Sequence, residues 1–226
     1  MQLSPLAFDY QSTTPCEKEV IEAMEPYWND FWGNPSSRQN RLGTYAAAAI
    51  KLSREKLAGC LKVQPEAVVF TSGATESNNL ALLGFARANA LTTGRPGHII
   101  TLRTEHHSVL DPLRQLQKEG FDLTELQPQS NGLLLIDNLN KAFRDDTILV
   151  SIMLANNEIG VIQPLHLISS LCRERGVVLH SDAAQAFGNL SLEVSCLGID
   201  LLSLSAHKIY GPKGVGALVI NNKIPL

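Results

Sequence analysis

Short apolar segments alternate with helical segments along most of this sequence, and this alternation restricts the possible folds more than any other feature. The expected strands are rich in Val, Ile and Leu: residues 67–71, 98–102, 122–126, 147–153, 177–180, 201–205 and 216–220. Helices are expected between them at residues 76–90, 109–118, 136–143 and 164–175. Apolar strands alternating with helices form a mostly parallel sheet covered on both faces. The sequence therefore predicts a three-layer α/β/α architecture.

The segment before the first strand predicts an arm, two helices and a loop. Residues 1–15 are expected to form an extended arm, and residues 16–226 the α/β domain itself. Residues 17–28 predict a short amphipathic helix, and residues 44–61 predict a longer, alanine-rich one. Between them, residues 33–37 (GNPSS) predict a loop, because Gly and Pro interrupt regular structure.

Composition excludes several classes of function. The 226 residues are 44% hydrophobic and 18% charged, which is typical of a globular protein. A net charge of -3 argues against a nucleic-acid partner or a polybasic membrane contact. No apolar run approaches the roughly 20 residues that span a bilayer, and the first residues lack the features of a secretory signal. We therefore expect a cytoplasmic protein with no membrane partner.

The four cysteines are scattered along the sequence, with no C-x-x-C spacing. They are Cys16, Cys60, Cys172 and Cys196. This spacing argues against a zinc site and against a disulfide framework, and it favours reduced thiols. We expect no bound metal.

One lysine follows an expected strand in residues 203–214 (SLSAHKIYGPKG). Lys208 stands between Ser205 and His207 on one side and a Gly/Pro-rich turn on the other. The end of a buried strand is where α/β proteins tend to place their chemistry. A lysine amine held there can condense with an aldehyde such as pyridoxal 5′-phosphate. The alternative is a solvated surface charge, which is the usual state of a lysine.

A second polar segment, residues 71–79 (TSGATESNN), follows a strand and opens a helix. Gly73 allows a tight turn, and the amides at the start of the helix, with the Thr75 hydroxyl, suit a phosphate group. The alternative is an ordinary helix cap made by Thr75 or Ser72. The sequence lacks the G-x-G-x-x-G and G-x-x-x-x-G-K-[ST] patterns, so nothing favours a dinucleotide or a nucleoside triphosphate.

Three further polar groups follow strands. Asp182 comes just after residues 177–180, where a carboxylate needs a partner such as a protonated pyridine nitrogen; the alternative is that it caps the next helix. Gln185 lies close enough to donate to a phenolic oxygen of the same ring. In residues 104–108 (TEHHS) an imidazole could stack on that ring and move protons, while a helix-capping turn is equally consistent for His107.

The fourth such group is an asparagine in residues 155–160 (ANNEIG), which could hold a ring oxygen or form a simple Asn/Gly turn. Each signal is weak alone. Because the ends of parallel strands meet at one edge of a sheet, the groups together predict a phosphate site, an acid for the ring nitrogen, a stacking group and a reactive lysine. These are the groups that pyridoxal phosphate requires.

Seven segments carry a resemblance to a known family. They are FDYQSTTP (8–15), GNPSS (33–37), VVFTSGATESNNLA (68–81), HIITLRTEHHSVLD (98–111), DDTILVSIMLANNEIGVIQP (145–164), HSDAAQAFG (180–188) and SLSAHKIYGPKGVGALVI (203–220). From about residue 8 to residue 220 the chain resembles the cysteine desulfurases of the class V aminotransferase group, which are fold-type I pyridoxal-phosphate enzymes. The segment HKIYGPKG resembles the matching segment of one branch of this family, the branch that supplies sulfur for iron–sulfur clusters and related pathways.

The resemblance implies a role for each candidate residue. Lys208 would form the Schiff base with the cofactor, Asp182 would pair with the ring nitrogen, and His106 would stack on the ring and relay protons. Two residues would contact the region of the phenolic oxygen: Gln185 and Asn157. Four would hold the phosphate: Ala74, Thr75, Ser205 and His207. Asn34 would lie near the substrate carboxylate.

The family's reaction converts L-cysteine to L-alanine and leaves a persulfide on an enzyme cysteine. Family members continue past the strand that ends near Ile220, and their further segment supplies a small domain, an arginine for the substrate carboxylate and the cysteine that accepts sulfur. The expectation is therefore a C-terminally truncated chain, the cofactor-binding large domain without its small domain. Its first 15 residues would then lack a packing partner and become mobile.

Three functional hypotheses follow from the resemblance. The first is a cysteine desulfurase whose cofactor-binding portion is inactive alone, homodimeric in full-length form and served by a sulfur-acceptor or scaffold protein. The second is another class V enzyme, such as a cysteine or selenocysteine lyase or an aminotransferase-like protein. The third is a non-catalytic truncated homologue. HKIYGPKG favours the first hypothesis.

Overall fold

The computed structural model describes residues 6–220 and 224–226. In that part of the chain, one sheet contains all seven expected strands: β1 (Val68–Thr71), β2 (His98–Leu102), β3 (Asp122–Leu126), β4 (Thr147–Ser151), β5 (Val178–Asp182), β6 (Leu201–Ser205) and β7 (Gly216–Ile220). Their spatial order is β1-β7-β6-β5-β4-β2-β3. β7 runs antiparallel to both of its neighbours, and the remaining pairs are parallel. The expected mostly parallel sheet is confirmed.

Alternate residues along each central strand pack into two separate hydrophobic clusters. Ile100, Val150 and Leu202 belong to one cluster. Their strand neighbours Ile99, Leu149 and Leu201 belong to the other. Because successive strand residues point to opposite faces, the sheet is covered on both sides. The three-layer α/β/α prediction is therefore confirmed.

The helices in the described residues are α1 (Lys18–Met24), α2 (Pro26–Asn29), α3 (Arg41–Leu61), α4 (Ala74–Asn79), α5 (Phe85–Thr93), α6 (His107–Lys118), α7 (Ile136–Ala142), α8 (Leu165–Arg175) and α9 (Val194–Leu197). A π-helical turn, Leu80–Gly84, joins α4 to α5, so the helix expected at residues 76–90 is longer and changes its winding. Short 3₁₀ turns occur at Pro65–Ala67 and Ala206–Lys208.

Two expected helix bounds are wrong for identifiable reasons. The helix expected at residues 17–28 divides into α1 and α2, because Pro26 has no backbone N–H to continue the hydrogen-bond series. The helix expected at residues 44–61 begins at Arg41, because the Asn40 side chain caps it by accepting from the amide of Gly43 at 2.8 Å.

The end of the predicted arm is hydrogen-bonded to the turn that carries the lysine. The amide of Thr14 donates to the carbonyl of His207 at 2.9 Å, and the amide of Glu17 donates to the carbonyl of Tyr210 at 2.9 Å. The Thr14 hydroxyl accepts from the amide of Tyr210 at 2.8 Å. Residues 1–5 of the arm lie outside the described residues, and the division into an arm and a domain stays a prediction.

Each described helix is too short or too polar to cross a lipid bilayer.

Candidate active site

The ends of β4, β5 and β6 and the turn before α4 surround one cavity of about 600 Å³. Nine of the residues singled out in the sequence line it: Ala74, Thr75, His106, Asn157, Asp182, Gln185, Ser205, His207 and Lys208. Asn34 is not among the described residues that line the cavity. Its side-chain oxygen accepts from the amide of Ser36 at 2.9 Å within its own loop. A role for Asn34 at the substrate carboxylate stays a prediction.

Lys208 lies in the 3₁₀ turn that follows β6, and it is half-buried. Its Nζ atom donates to the carbonyl oxygen of Gln11. Burial lowers the pKa of the Lys208 amine, while the negative charges of Asp182 and Asp9 partly oppose that shift. A lowered pKa increases the fraction of neutral, nucleophilic amine. The cavity is also lined by a second lysine, Lys213.

Asp182 ends β5 and is 6% exposed. Its Oδ1 atom accepts from the amide of Ala184 at 2.9 Å, and its Oδ2 atom accepts from Nδ2 of Asn78 at 2.8 Å. Burial raises the pKa of the Asp182 carboxyl, and these two hydrogen bonds work in the opposite direction. The carboxylate therefore stabilises the following turn and also faces the cavity, where a cationic ligand atom would favour its charged form.

The start of α4 forms one end of the cavity. Gly73 is the N-cap residue with a φ of 157°, and no side chain caps this helix. The expected alternative, a cap made by Thr75 or Ser72, is therefore wrong. The amide and hydroxyl of Ser72 both donate to Oε2 of Glu76 at 2.6 Å. Ala74 and Thr75, the first two residues of α4, line the cavity.

Two further groups at this end fit a phosphate. The Ser205 hydroxyl is buried and has no hydrogen-bond partner among the described residues. His207 is flanked by two positive charges: burial lowers the pKa of its imidazole, and Lys208 and Lys213 lower it further. An unpaired hydroxyl, a helix start and two lysines form a suitable environment for a dianion.

His106 is exposed, lines the cavity and is the N-cap residue of α6. Its Nδ1 atom accepts from the amide of Ser108 at 3.1 Å. The sequence left open whether a histidine here would cap the helix or face a ligand, and named His107 for the cap. The capping residue is His106, which has its other ring nitrogen, Nε2, for a ligand.

Gln185 and Asn157 line the cavity from two loops. Nε2 of Gln185 donates to the carbonyl of Gln11 at 2.7 Å. The neighbouring Asn156 fixes the loop of Asn157: Nδ2 donates to the carbonyl of Thr104 at 2.9 Å, and Oδ1 accepts from the amide of Glu158 at 2.9 Å. Asn156 therefore holds Asn157 against the end of β2.

Several residues of this site are not indicated by the sequence. Gln11, Ser12 and Thr13 line the cavity. No local pattern indicates that, because Gln11 contacts Gln185 and Lys208, 174 and 197 residues away, and Thr13 contacts His207, 194 residues away. Asn78 is fully buried on the inner face of α4. The periodicity of the expected helix could have indicated that the Asn78 side chain faces inward.

Glu105 is another such residue, although it directly precedes His106. It is buried, and its Oε1 atom accepts from the amide of Met153 at 2.8 Å. Burial raises the pKa of the Glu105 carboxyl well above its usual value, and the nearby Asp182 raises it further. Glu105 ties the end of β2 to the segment that follows β4.

A lysine amine, a buried carboxylate and a helix start that suits a phosphate therefore lie at one edge of a mostly parallel sheet. The family profile described as Aminotransferase class-V matches residues 6–225. The chain belongs to the class-V aminotransferase family. The resemblance and the expectation of pyridoxal 5′-phosphate as cofactor are confirmed. The individual residue roles stay predictions.

Comparison with curated proteins identifies cysteine desulfurases among the relatives. The chain is 49% identical over 221 residues to the cysteine desulfurase IscS of Colwellia psychrerythraea. It is 50% identical over 221 residues to the cysteine desulfurase IscS of Ehrlichia chaffeensis. These matches take in 97% and 98% of this chain but 54% and 53% of the relatives. The chain thus spans about half the length of the curated relatives it matches.

Solved structures give the same result. The structure described as SspA in complex with cysteine has a TM-score of 0.92 and 41% identity, and the match covers 97% of this chain and 63% of that chain. A NifS-like protein also has a TM-score of 0.92, with 36% identity, and the match covers 97% of this chain and 60% of that chain.

Proposed function

We propose that this chain is the cofactor-binding portion of a pyridoxal-phosphate-dependent cysteine desulfurase, which converts L-cysteine to L-alanine and passes the sulfur to an enzyme cysteine. The observation that carries the proposal is the meeting of Lys208, Asp182 and Thr75 in one cavity. L-Cysteine as the substrate is supported by the similarity to SspA, whose structure contains cysteine, and to the IscS proteins. The same names support a place in iron–sulfur cluster biosynthesis.

When bound, the cofactor supplies an electron-withdrawing ring that makes bonds to the substrate carbon easier to break. Asp182 holds a negative charge for the ring nitrogen. Because the carboxylate is buried and accepts from both Ala184 and Asn78, its position is fixed before the ligand arrives. A preorganised charge of this kind needs no rearrangement during the reaction.

Lys208 provides the covalent attachment. Its half-buried amine is held by the carbonyl of Gln11, and binding of the cofactor aldehyde requires the loss of that contact. The lowered pKa of the Lys208 amine favours the neutral form that can attack a carbonyl. The Gln11 carbonyl therefore positions the amine and must release it before the amine can react with the aldehyde.

The end of the cavity at the start of α4 binds the phosphate. The first-turn amides of α4, the Thr75 hydroxyl, the Ser205 hydroxyl and the uncharged His207 imidazole supply donors, and Lys213 adds positive charge. The absence of a partner for Ser205 Oγ among the described residues supports this assignment, since a buried hydroxyl without a partner is costly.

The cavity lacks two groups that the full reaction needs. No arginine and no cysteine among the described residues lines it. A substrate carboxylate is usually held by an arginine, and sulfur transfer needs a thiol acceptor. We therefore expect the 226-residue chain alone to bind the cofactor weakly and to release little or no sulfide from cysteine.

The experiment is a titration of the chain with pyridoxal 5′-phosphate, followed by visible absorbance and by borohydride reduction. The wild-type chain should give a visible band, and mass spectrometry after reduction should locate the cofactor on Lys208. Lys208→Ala should abolish both, while the matched control Lys213→Ala should weaken binding and keep the label on Lys208. A label on Lys213, or a band that persists in Lys208→Ala, refutes the assignment.

Three properties of the complete enzyme stay predictions. A homodimer, a sulfur-acceptor or scaffold protein and a cytoplasmic location follow from the family resemblance and from the composition. Size-exclusion chromatography with light scattering tests the first, and pull-down of a persulfide acceptor from a cell extract tests the second.

A further inference from the structure

A continuous series of hydrogen bonds links the buried carboxylate to the histidine of the cavity. Asn78, on α4, donates from Nδ2 to Oδ2 of Asp182 at 2.8 Å and to Oγ of Ser108 at 2.9 Å. The hydroxyl of Ser108 lies 2.8 Å from Nδ1 of His106. Three elements, α4, β5 and α6, are thereby connected through side chains.

The chemistry of the groups fixes the direction of each bond. An ionised Asp182 carboxylate has only acceptor oxygens, so the Asn78 atom that lies 2.8 Å from Oδ2 must be the amide nitrogen and not the amide oxygen. Both N–H groups of that amide are then used, one on Asp182 and one on Ser108. Because Oγ of Ser108 accepts from Asn78, its single proton is available for Nδ1 of His106.

The backbone imposes the same direction at the histidine. The amide of Ser108 donates to Nδ1 of His106 at 3.1 Å, which is the capping bond of α6. A backbone N–H can only donate. Nδ1 therefore faces two donors, the amide and the hydroxyl of the same residue, and a proton on Nδ1 would oppose both of them.

We propose that Asn78 and Ser108 are positioning residues that hold uncharged His106 in the tautomer with its proton on Nε2. The consequence for the reaction rests on the proposed function. In that tautomer, uncharged His106 carries an N–H donor at Nε2. His106 thus presents a hydrogen-bond donor, and not an acceptor, to the ligand at Nε2, and Asn78 couples its orientation to that of Asp182.

The test is two-bond ¹H–¹⁵N correlation spectroscopy on the cofactor-free chain labelled at histidine. Spectra are recorded at about pH 8.5, two units above the usual histidine value. His106→Gln assigns the signals. The wild-type His106 should show the pattern of a protonated Nε2 and an unprotonated Nδ1.

Ser108→Ala removes the hydroxyl and keeps the amide. A single hydrogen bond contributes about 1 kcal/mol, so the fraction of His106 with its proton on Nδ1 should rise roughly fivefold. Ser108→Thr keeps the hydroxyl and should restore the wild-type pattern. His107 is the internal control, because it is exposed and its Nδ1 lies 3.9 Å from Oδ1 of Asp111, outside this series. Its signals should not change among the variants.

Two results would overturn the proposal: a wild-type His106 with its proton mainly on Nδ1, or an unchanged tautomer ratio in Ser108→Ala. Both are read without cofactor or substrate. If the cofactor titration fails while the tautomer pattern holds, the proposed function is wrong and this inference stands. If the cofactor titration succeeds and the tautomer pattern fails, the proposed function stands and this inference is wrong.

Discussion

Gly216 connects the architecture of the sheet to the phosphate end of the cavity, and replacing it with alanine should damage both. Gly216 begins β7, where it pairs with Ser205 of β6 and with Thr71 of β1. A Cβ atom added to it would lie 2.5 Å from Cα of Gly73 and 2.6 Å from the carbonyl oxygen of Leu204. Non-bonded carbons lie about 3.5–4.0 Å apart, so the backbone at Gly216 and the backbone at Gly73 must separate by at least about 1 Å.

The separation cannot be absorbed by a flexible side chain, because both contacts are backbone atoms. Overpacking of this kind costs about 1–3 kcal/mol of unfolding free energy. The Gly73 turn would move away from Ser205, and a 1 Å displacement takes a hydrogen bond of about 2.9 Å beyond its useful range. Losing one hydrogen bond to a charged phosphate costs about 1.5–3 kcal/mol, which corresponds to at least a tenfold weaker affinity for pyridoxal phosphate.

Urea unfolding and cofactor titration measure the two effects on the same protein. Gly59→Ala is the matched control, because the same added atom meets nothing within 4 Å and lies inside α3. There alanine should stabilise the chain by about 0.5–1 kcal/mol through its helix propensity. Equal unfolding midpoints and equal cofactor affinities for Gly216→Ala and the wild type would refute the reasoning.

Two further predictions concern titratable groups. Burial lowers the pKa of His180 to about 3, so between that value and about 6.5 the unfolded chain binds the extra proton. The unfolding free energy of the wild type, relative to His180→Gln, should therefore fall by about 1.4 kcal/mol per pH unit on acidification below 6.5; a flat difference in urea titrations would contradict this. Burial raises the pKa of the Cys172 thiol to about 12, whereas Cys60 and Cys196 are exposed. A disulfide reagent at neutral pH should label the exposed thiols within minutes and Cys172 only after unfolding; rapid labelling of Cys172 in the folded chain would count against its burial.

Most strands could be predicted from the sequence because they are apolar runs bounded by polar residues, whereas β3 (DLTEL) alternates polar and apolar residues. The direction of β7 could not be read from its own residues, since GALVI has the same pattern either way. The signal lay in the connection. Only ten residues separate β6 from β7, which is too short for the crossover that parallel neighbours need. Counting that connection would have predicted the antiparallel strand.

Some residues of the site could likewise be predicted from the local sequence, and others could not, because their positions depend on contacts with distant parts of the chain. Lys208, Asp182 and His106 could be found because each lies at or just past the end of a strand, and the strand ends meet in space. Gln11, which contacts both Lys208 and Gln185, carries no such signal, because its position depends on how the arm packs. Asn34 was named from family resemblance alone, and its observed contacts lie within its own loop.

At Asp182 and His106, a contact to the backbone and a contact to a ligand are not exclusive, because each group offers more than one polar atom. Asp182 does not cap a helix, as the alternative expected, since a turn follows it. It uses Oδ1 to hold the amide of Ala184 in that turn, and a carboxylate still has several lone pairs for Asn78 and a ring nitrogen. His106 uses Nδ1 to cap α6 and has Nε2 for a ligand. Holding the backbone therefore does not compete with ligand binding here. It fixes the orientation of the remaining atoms, so ligand binding meets groups whose conformational entropy was already lost when the strand ends folded.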